Sequence, residues 1–194
     1  MSLVSMQLWY KVIEARVATW LPATETWDTS VAIPNLSGIK FDPEMDNDEL
    51  YVFGAKEHLL SVPVGMKVTM SFGGVDNTSA NAMTGMSSTE SGSGDDETRK
   101  TRWSGGDNLP YFGLIVAVEA NDGLDAHLML PRLKLDSLMA LDLAKGNKFV
   151  IPNVTAKAAR LRLAAGTLYP VMDLLEHAVV NTVETDFAVA LLSL

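Results

Sequence analysis

Between Met66 and Phe72 the chain alternates without a break. Met66, Val68, Met70 and Phe72 are apolar, and the intervening Lys67, Thr69 and Ser71 are polar. Two residues is the side-chain period of a strand, and a strand with one apolar and one polar face belongs in an antiparallel sheet with one side on a core. This segment therefore commits the chain to β-structure, and similar segments recur on both sides of it. Leu8–Trp20 is rich in β-branched and aromatic residues and reads as a strand. Strict alternation would place Trp9, Lys11, Ile13, Ala15 and Val17 on one face and Tyr10, Val12, Glu14 and Arg16 on the other. Residues 31–41 look extended, with Pro34 and Gly38 marking an edge, bend or bulge. Leu50–Phe53 is a short extended run. Tyr111–Ala120 is strongly apolar; Asn121-Asp122-Gly123 is a hairpin turn, and Ala126–Leu135 is the returning strand, with Pro131 at an edge or bulge. Lys148–Leu163 alternates again, with Ala156, Ala158 and Arg160 on one face and Thr155, Lys157 and Ala159 on the other.

The segments between these strands differ in kind. Residues 21–30 read as a polar loop, and Asp42–Glu49 as a turn-rich acidic stretch. Asp76–Gly85 reads as one short helix, capped by Asp76 and ended by Gly85. Residues 86–108 are polar, rich in Ser and Gly and nearly without aliphatics, which predicts a mobile surface loop that could order on assembly. Residues 166–194 form an apolar C-terminal extension. Its YPVMDLLEHAVVNTV stretch fits either a helix or a strand pair, and its final FAVALLSL is too apolar to be left in water. The expectation is a single domain over residues 1–194, mainly β or β-rich α+β. Two packed antiparallel sheets, sandwich- or barrel-like, would carry one flanking short helix and a long mobile loop.

Charge narrows the function. Fifteen Lys and Arg against twenty-four Asp and Glu give a net charge of −9. Such a surface repels phosphates and argues against sequence-specific DNA binding. The longest basic cluster is Arg99-Lys100-Thr101-Arg102. The chain has no cysteine, which excludes a disulfide framework, a thiol nucleophile and a thiolate metal site. The N-terminal residues lack a basic segment followed by an apolar run, and no stretch approaches the eighteen or so apolar residues of a spanning helix. The expectation is a chain made in the cytoplasm with no membrane partner.

Chemistry is hard to find in this pattern. His58, His127 and His177 are the histidines, and no pair has metal-ligand spacing or a triad neighbour. Asp42, Glu44, Asp46 and Asp48 resemble half of a calcium loop, but the EF-hand pattern fails because its twelfth position, Phe53, is not Glu. A solvated acidic loop is the main reading and a weak divalent-cation site the alternative. Gly92-Ser93-Gly94 lacks the Gly-Lys-Ser/Thr of a phosphate loop. Trp9, Trp20 and Trp27 could stack on a ligand or fill a core or subunit interface. No cofactor, metal or catalytic residue is expected.

Residues 31–72 do carry a resemblance. Ile33-Pro34, then Phe41-Asp42-Pro43-Glu44, an acidic turn, Tyr51, and the strand from Gly65 to Phe72 follow one another in an order similar to that of the major tail proteins of long-tailed bacteriophages. The short helix to Gly85, the strand Tyr111–Ala120 and the strand Ala126–Pro131 continue it, so that residues 8–163 match in order and spacing. The Ser/Gly insert and the last thirty or so residues depart from the family's pattern. The resemblance implies two sheets packed across each other with a helix at the flank, and six-fold rings stacked into a hollow tube that delivers the genome. It implies no enzyme activity. Implied partners are further copies of the chain, the tape-measure, terminator and baseplate or initiator proteins of the tail, and DNA that passes without specific binding. The implied location is the virion tail, assembled in the host cytoplasm. By this resemblance Asp42–Pro63 is an inter-subunit arm containing Asp42, Glu44, Asp46, Asp48, Tyr51, Phe53 and His58. Lys67, Thr69 and Ser71 are candidates for the lumen, which would be acidic. Alternative readings are the tube of a contractile tail or of a secretion-type injection machine, a β-sandwich module for carbohydrate or receptor, and a hydrolase on a β-scaffold.

Overall fold

The fold is known from a computed structural model that describes residues 9–34, 36–52, 55–73, 76–102, 108–120, 125–136 and 153–176. It is mostly β, with antiparallel pairing throughout and a single α-helix among the described residues. The strands are Trp9–Leu21 (β1), Thr26–Trp27 (β2), Val31–Ala32 (β3), Leu36–Val52 (β4), Ala55–Phe72 (β5), Ser87–Ser91 (β6), Thr98–Arg102 (β7), Tyr111–Ala120 (β8), Asp125–Leu135 (β9), Asn153–Ala158 (β10), Leu161–Arg162 (β11), Leu168–Tyr169 (β12) and Asp173–Glu176 (β13). The helix, α1, is Asn77–Thr84. One large sheet runs β2-β1-β8-β9-β10-β5-β4, with β3 added on β1 and β13 on β9; β6–β7 and β11–β12 are separate two-stranded sheets.

The large sheet curls around one core. Val17, Val68, Met70, Phe112, Leu114, Val116, Leu130, Leu133, Val154 and Ala156 are all buried in a single cluster drawn from five strands. Val12 of β1 and Ile39 and Phe41 of β4 pack on that cluster from opposite ends of the strand order, so the sheet's two ends meet across it. A cavity of about 440 Å³ lies where they meet, lined by Val12, Ile39, Phe41, Met66, Val118, Leu128 and Met172 among others. The helix lies against β1, β3, β8 and β9. Its ends are as the sequence predicts: the Asp76 carboxylate accepts from the backbone N–H groups of Thr78 and Ser79, and Gly85 closes the helix in the left-handed conformation. The opposite face of β8 and β9 is also covered, with Ile115, Ala117 and Met129 buried beside Ala18.

Bulges explain where alternation fails. On β1, Val12 pairs with Val118 but Glu14 with Ala117, so Ile13 is an extra residue. Ile13 is thereby turned out to 52% exposure, while Val12 joins Ala15 and Val17 on the core side. Strict alternation had put Val12 on the other face and Ile13 with Ala15. On β9, Phe112 pairs with Leu133 and Leu114 with Leu130, which places an extra residue at Pro131-Arg132. Pro131 therefore marks a bulge in a strand flanked on both sides, not an edge.

Three other expectations are corrected. Asp42–Glu49 is not a turn: it lies in the middle of β4, paired rung by rung with β5 from Pro43–Met66 to Glu49–Leu59. Pro43 is tolerated because β4 ends the strand order, so its missing N–H breaks no second ladder. Within residues 86–108, β6 and β7 form a hairpin closed by a 3-10 turn at Gly94–Asp96. Cross-strand pairs make up for its lack of apolar residues: Arg99 meets Glu90, and the Ser91 and Thr98 hydroxyls are 2.8 Å apart. In the polar loop at 21–30, β2 pairs with Trp20 and Leu21. At the C-terminal end, Leu168–Tyr169 and Asp173–Glu176 are strands, the latter paired with β9, while FAVALLSL lies outside the described residues.

Candidate functional site

The most distinctive feature is the way β4 and β5 outgrow the sheet. The β5–β10 ladder runs from Ser71–Asn153 to Met66–Ala158 and stops there. Strand β5 continues back to Ala55, and β4 continues forward to Val52, paired only with each other among the described residues. The result is a two-stranded ribbon from Glu44 to Gly65, roughly 30 Å long at ~3.3 Å per residue. At its root, Val64 is an extra residue between the Gly65–Glu44 and Pro63–Met45 rungs and is 53% exposed. Such a bulge bends and twists the ribbon where it leaves the sheet.

The ribbon holds most of the arm residues predicted from sequence. Asp42, just before the root, is ion-paired with Lys40 at 2.7 Å. Glu44 is half-buried against Gly65, and Asp46 is exposed beside the exposed Met45. Asp48 pairs with Leu60, Tyr51 with Lys56 and His58 with Leu50, so Tyr51 and His58 occupy adjacent rungs on opposite strands near the tip. Phe53 and His177 lie outside the described residues. On an extended strand, alternate carboxylates stand roughly 7 Å apart. That spacing strings the carboxylates of Asp42, Glu44 and Asp46 along a line instead of converging them on one ion. No cluster of three metal-ligating side chains occurs among the described residues.

The second part is the outer face of the sheet at the root of the ribbon. Lys67, Thr69 and Ser71 do face away from the core, as alternation predicts, while Met66, Val68, Met70 and Phe72 are buried. Register then brings in partners that sequence did not show. Asp42 is opposite Lys67, Lys67 opposite Lys157, Lys157 opposite Lys134, and Lys134 opposite Tyr111. One row across five strands therefore carries three consecutive lysines. The Arg132 guanidinium stacks 4.0 Å from the Tyr111 ring centroid, and the Lys134 ammonium is 5.1 Å from it. Asp136 reaches Lys157 at 3.7 Å. In the rows beside it, Thr69 stands between Lys40 and Thr155, and the Ser71 hydroxyl donates to Asn153 at 2.7 Å. Nothing local in the sequence could have united Lys67, Lys134 and Lys157; only the pairing does.

Other polar and aromatic groups are committed elsewhere. His127 and Asp125 form a contact of 3.2 Å with side chains 0% and 2% exposed, so they present nothing to a substrate. Trp20 and Trp27 meet edge-to-face at 4.7 Å, Trp27 meets Tyr169 at 6.0 Å, and the Trp27 indole N–H donates to the Pro131 carbonyl at 3.1 Å. With Leu161 they form a satellite core, not an open stacking platform. No helix among the described residues is long and apolar enough to cross a membrane.

No protein-family model matches this chain, and no curated protein matches it.

Proposed function

We propose that this chain is a structural virion protein of a tailed bacteriophage, which self-assembles into stacked hexameric rings and so builds the tail tube through which genome DNA passes. The observation that carries this reading is the β4–β5 ribbon. A two-stranded projection whose strands pair, among the described residues, only with each other has little reason to exist within one copy, because a lone hairpin is marginal in water. Its outer strand, β4, also ends the strand order among the described residues, and such an edge is a template for another chain. A subunit built to repeat resolves both problems, since each copy covers its neighbour's edge and a closed ring leaves none exposed. The resemblance of residues 31–72 to major tail proteins supplies the kind of assembly. Terminator, tape-measure and baseplate or initiator proteins are the partners that go with it.

Electron microscopy of the concentrated protein in negative stain tests the reading. Rings or hollow tubes with a six-fold end view are the expected result, spontaneously or on addition of tail-initiator proteins. A chain that stays monomeric under both conditions overturns it.

A further inference from the structure

The lysine row on the outer face of β5, β10 and β9 calls for a counter-charge. Directly opposite residues in an antiparallel sheet have Cβ atoms about 5 Å apart, and like charges so placed repel. Lys67, Lys157 and Lys134 nevertheless stand in succession. Asp136 is beside Lys157, and Asp42 is engaged by Lys40. Among the described residues, neither Lys67 nor Lys134 forms an ion pair. The face is basic in a chain whose net charge is −9.

Asp42 is opposite Lys67 and Glu44 stands diagonally from it, and the rest of the complementary charge on the same chain lies farther along β4. Glu44, Asp46, Asp48 and Glu49 follow one another on the β4 strand of the ribbon. From Met45 on, each further residue of β4 pairs with a β5 residue farther from Lys67, so the ribbon carries the acidic stretch beyond the last β5–β10 rung. The spacings are compatible. Lys67 to Lys134 spans two inter-strand steps, roughly 10 Å, and Glu44 to Asp48 spans four residues, roughly 13 Å, a mismatch that lysine side chains absorb.

We infer that the lysine row of one copy receives the acidic stretch of the β4–β5 ribbon of a second copy, in a head-to-tail electrostatic contact. This rests on the proposed tube-building role and says which surfaces meet. It also takes Lys67, Thr69 and Ser71 away from the bore. A ring of copies lining a channel with this row would bind DNA phosphates by releasing counterions, and would hold the genome instead of letting it slide. Ribbon and row are different surfaces, so when copies meet head-to-tail, as the tube reading requires, the contact propagates around a ring or along a stack.

The test is sedimentation velocity of the full chain and two charge-reversed forms. One carries Lys67→Glu with Lys157→Glu; the other carries Asp46→Lys with Asp48→Lys. Each alone should associate at least about tenfold more weakly than the unaltered chain, because like charges now face each other. Mixed in equal amounts they should associate again to within about threefold of it, since each supplies the face the other needs. Circular dichroism establishes that both are folded. Reversed forms that associate normally, or a mixture of folded forms that stays apart, overturn the inference and leave the tube reading standing. If the unaltered chain forms charge-dependent oligomers that never become rings or tubes, the tube reading fails and the contact survives. If it shows no oligomer at all, carbodiimide crosslinking of mixed isotopically light and heavy chains decides. A light-to-heavy link between Lys67 and Asp46 upholds the contact, and its absence overturns it.

Discussion

A Cβ placed on Gly65 would lie 3.0 Å from the carbonyl oxygen of Ala158 and 3.1 Å from Oε2 of Glu44. Ala158 ends β10, so Gly65 is the residue at which β5 leaves its last neighbour in the sheet and enters the ribbon. The backbone oxygen has little room to retreat. Gly65→Ala should therefore destabilise the fold by about 1 kcal/mol and re-aim the ribbon. Chemical denaturation measures the first effect. The second predicts an assembly defect larger than the stability loss alone would cause.

Replacing residues 47–61 with Asn-Gly joins Asp46 to Val62 across an observed rung. The β5–β10 ladder and the core are left untouched, so the protein should fold, with a melting temperature within a few degrees of the parent. It should not polymerise. Light scattering and microscopy check this, and normal tubes from the shortened chain would remove the ribbon from the assembly interface.

The buried contact of His127 with Asp125 gives a different kind of prediction. His127→Leu removes one side of this buried contact and should cost about 3–5 kcal/mol. Adding Asp125→Asn removes the other side of the contact, so the double variant should lose clearly less than the sum of the two single losses. Strict additivity in denaturant titrations would mean that the two side chains do not act as a pair.

Burial holds the Asp173 carboxyl above its ordinary range. A carboxyl with a raised folded-state pKa binds its proton more tightly in the folded chain than in the unfolded one. It thus takes stability away as pH rises from the ordinary carboxylate value through the raised one. Asp173→Asn should stabilise the fold at neutral pH, and the gain should fade below about pH 4, where both states are protonated. Thermal melts across that range measure the crossover.

The hairpin of β6 and β7 has no buried residue on β6, and its Glu90–Arg99 pair is exposed. Exposed pairs contribute about 0–1 kcal/mol. Exchanging residues 87–102 for a short Gly-Ser linker should change unfolding free energy by less than about 1 kcal/mol. A larger loss in a denaturant titration would mean that the hairpin braces the core.

The strands that hold the core were legible because burial on one face writes itself as alternation, as from Met66 to Phe72. The helix was legible because Asp76 and Gly85 have the chemistry its two ends require. The acidic run from Asp42 to Glu49 was misread for a physical reason. Its residues favour turns when taken singly, but pairing with β5 along the whole run outweighs their propensity. The position of Ile13 was unreadable because a bulge costs the sequence nothing visible. Of the site, the outward side of Lys67, Thr69 and Ser71 was in view from alternation, whereas the lysine row arises from the register of strands far apart in the chain.

Strand β5 runs for eighteen residues, anchored in the core at one end and, among the described residues, paired only with β4 at the other. A pull on the ribbon along its axis loads the β5–β10 rungs side by side, in shear, so that they must break together. A sideways pull would open them one at a time, from Met66–Ala158 onward. A load carried along β5 therefore meets the fold in its mechanically strongest direction, and in the proposed tube each subunit would be stiff along that axis and compliant across it.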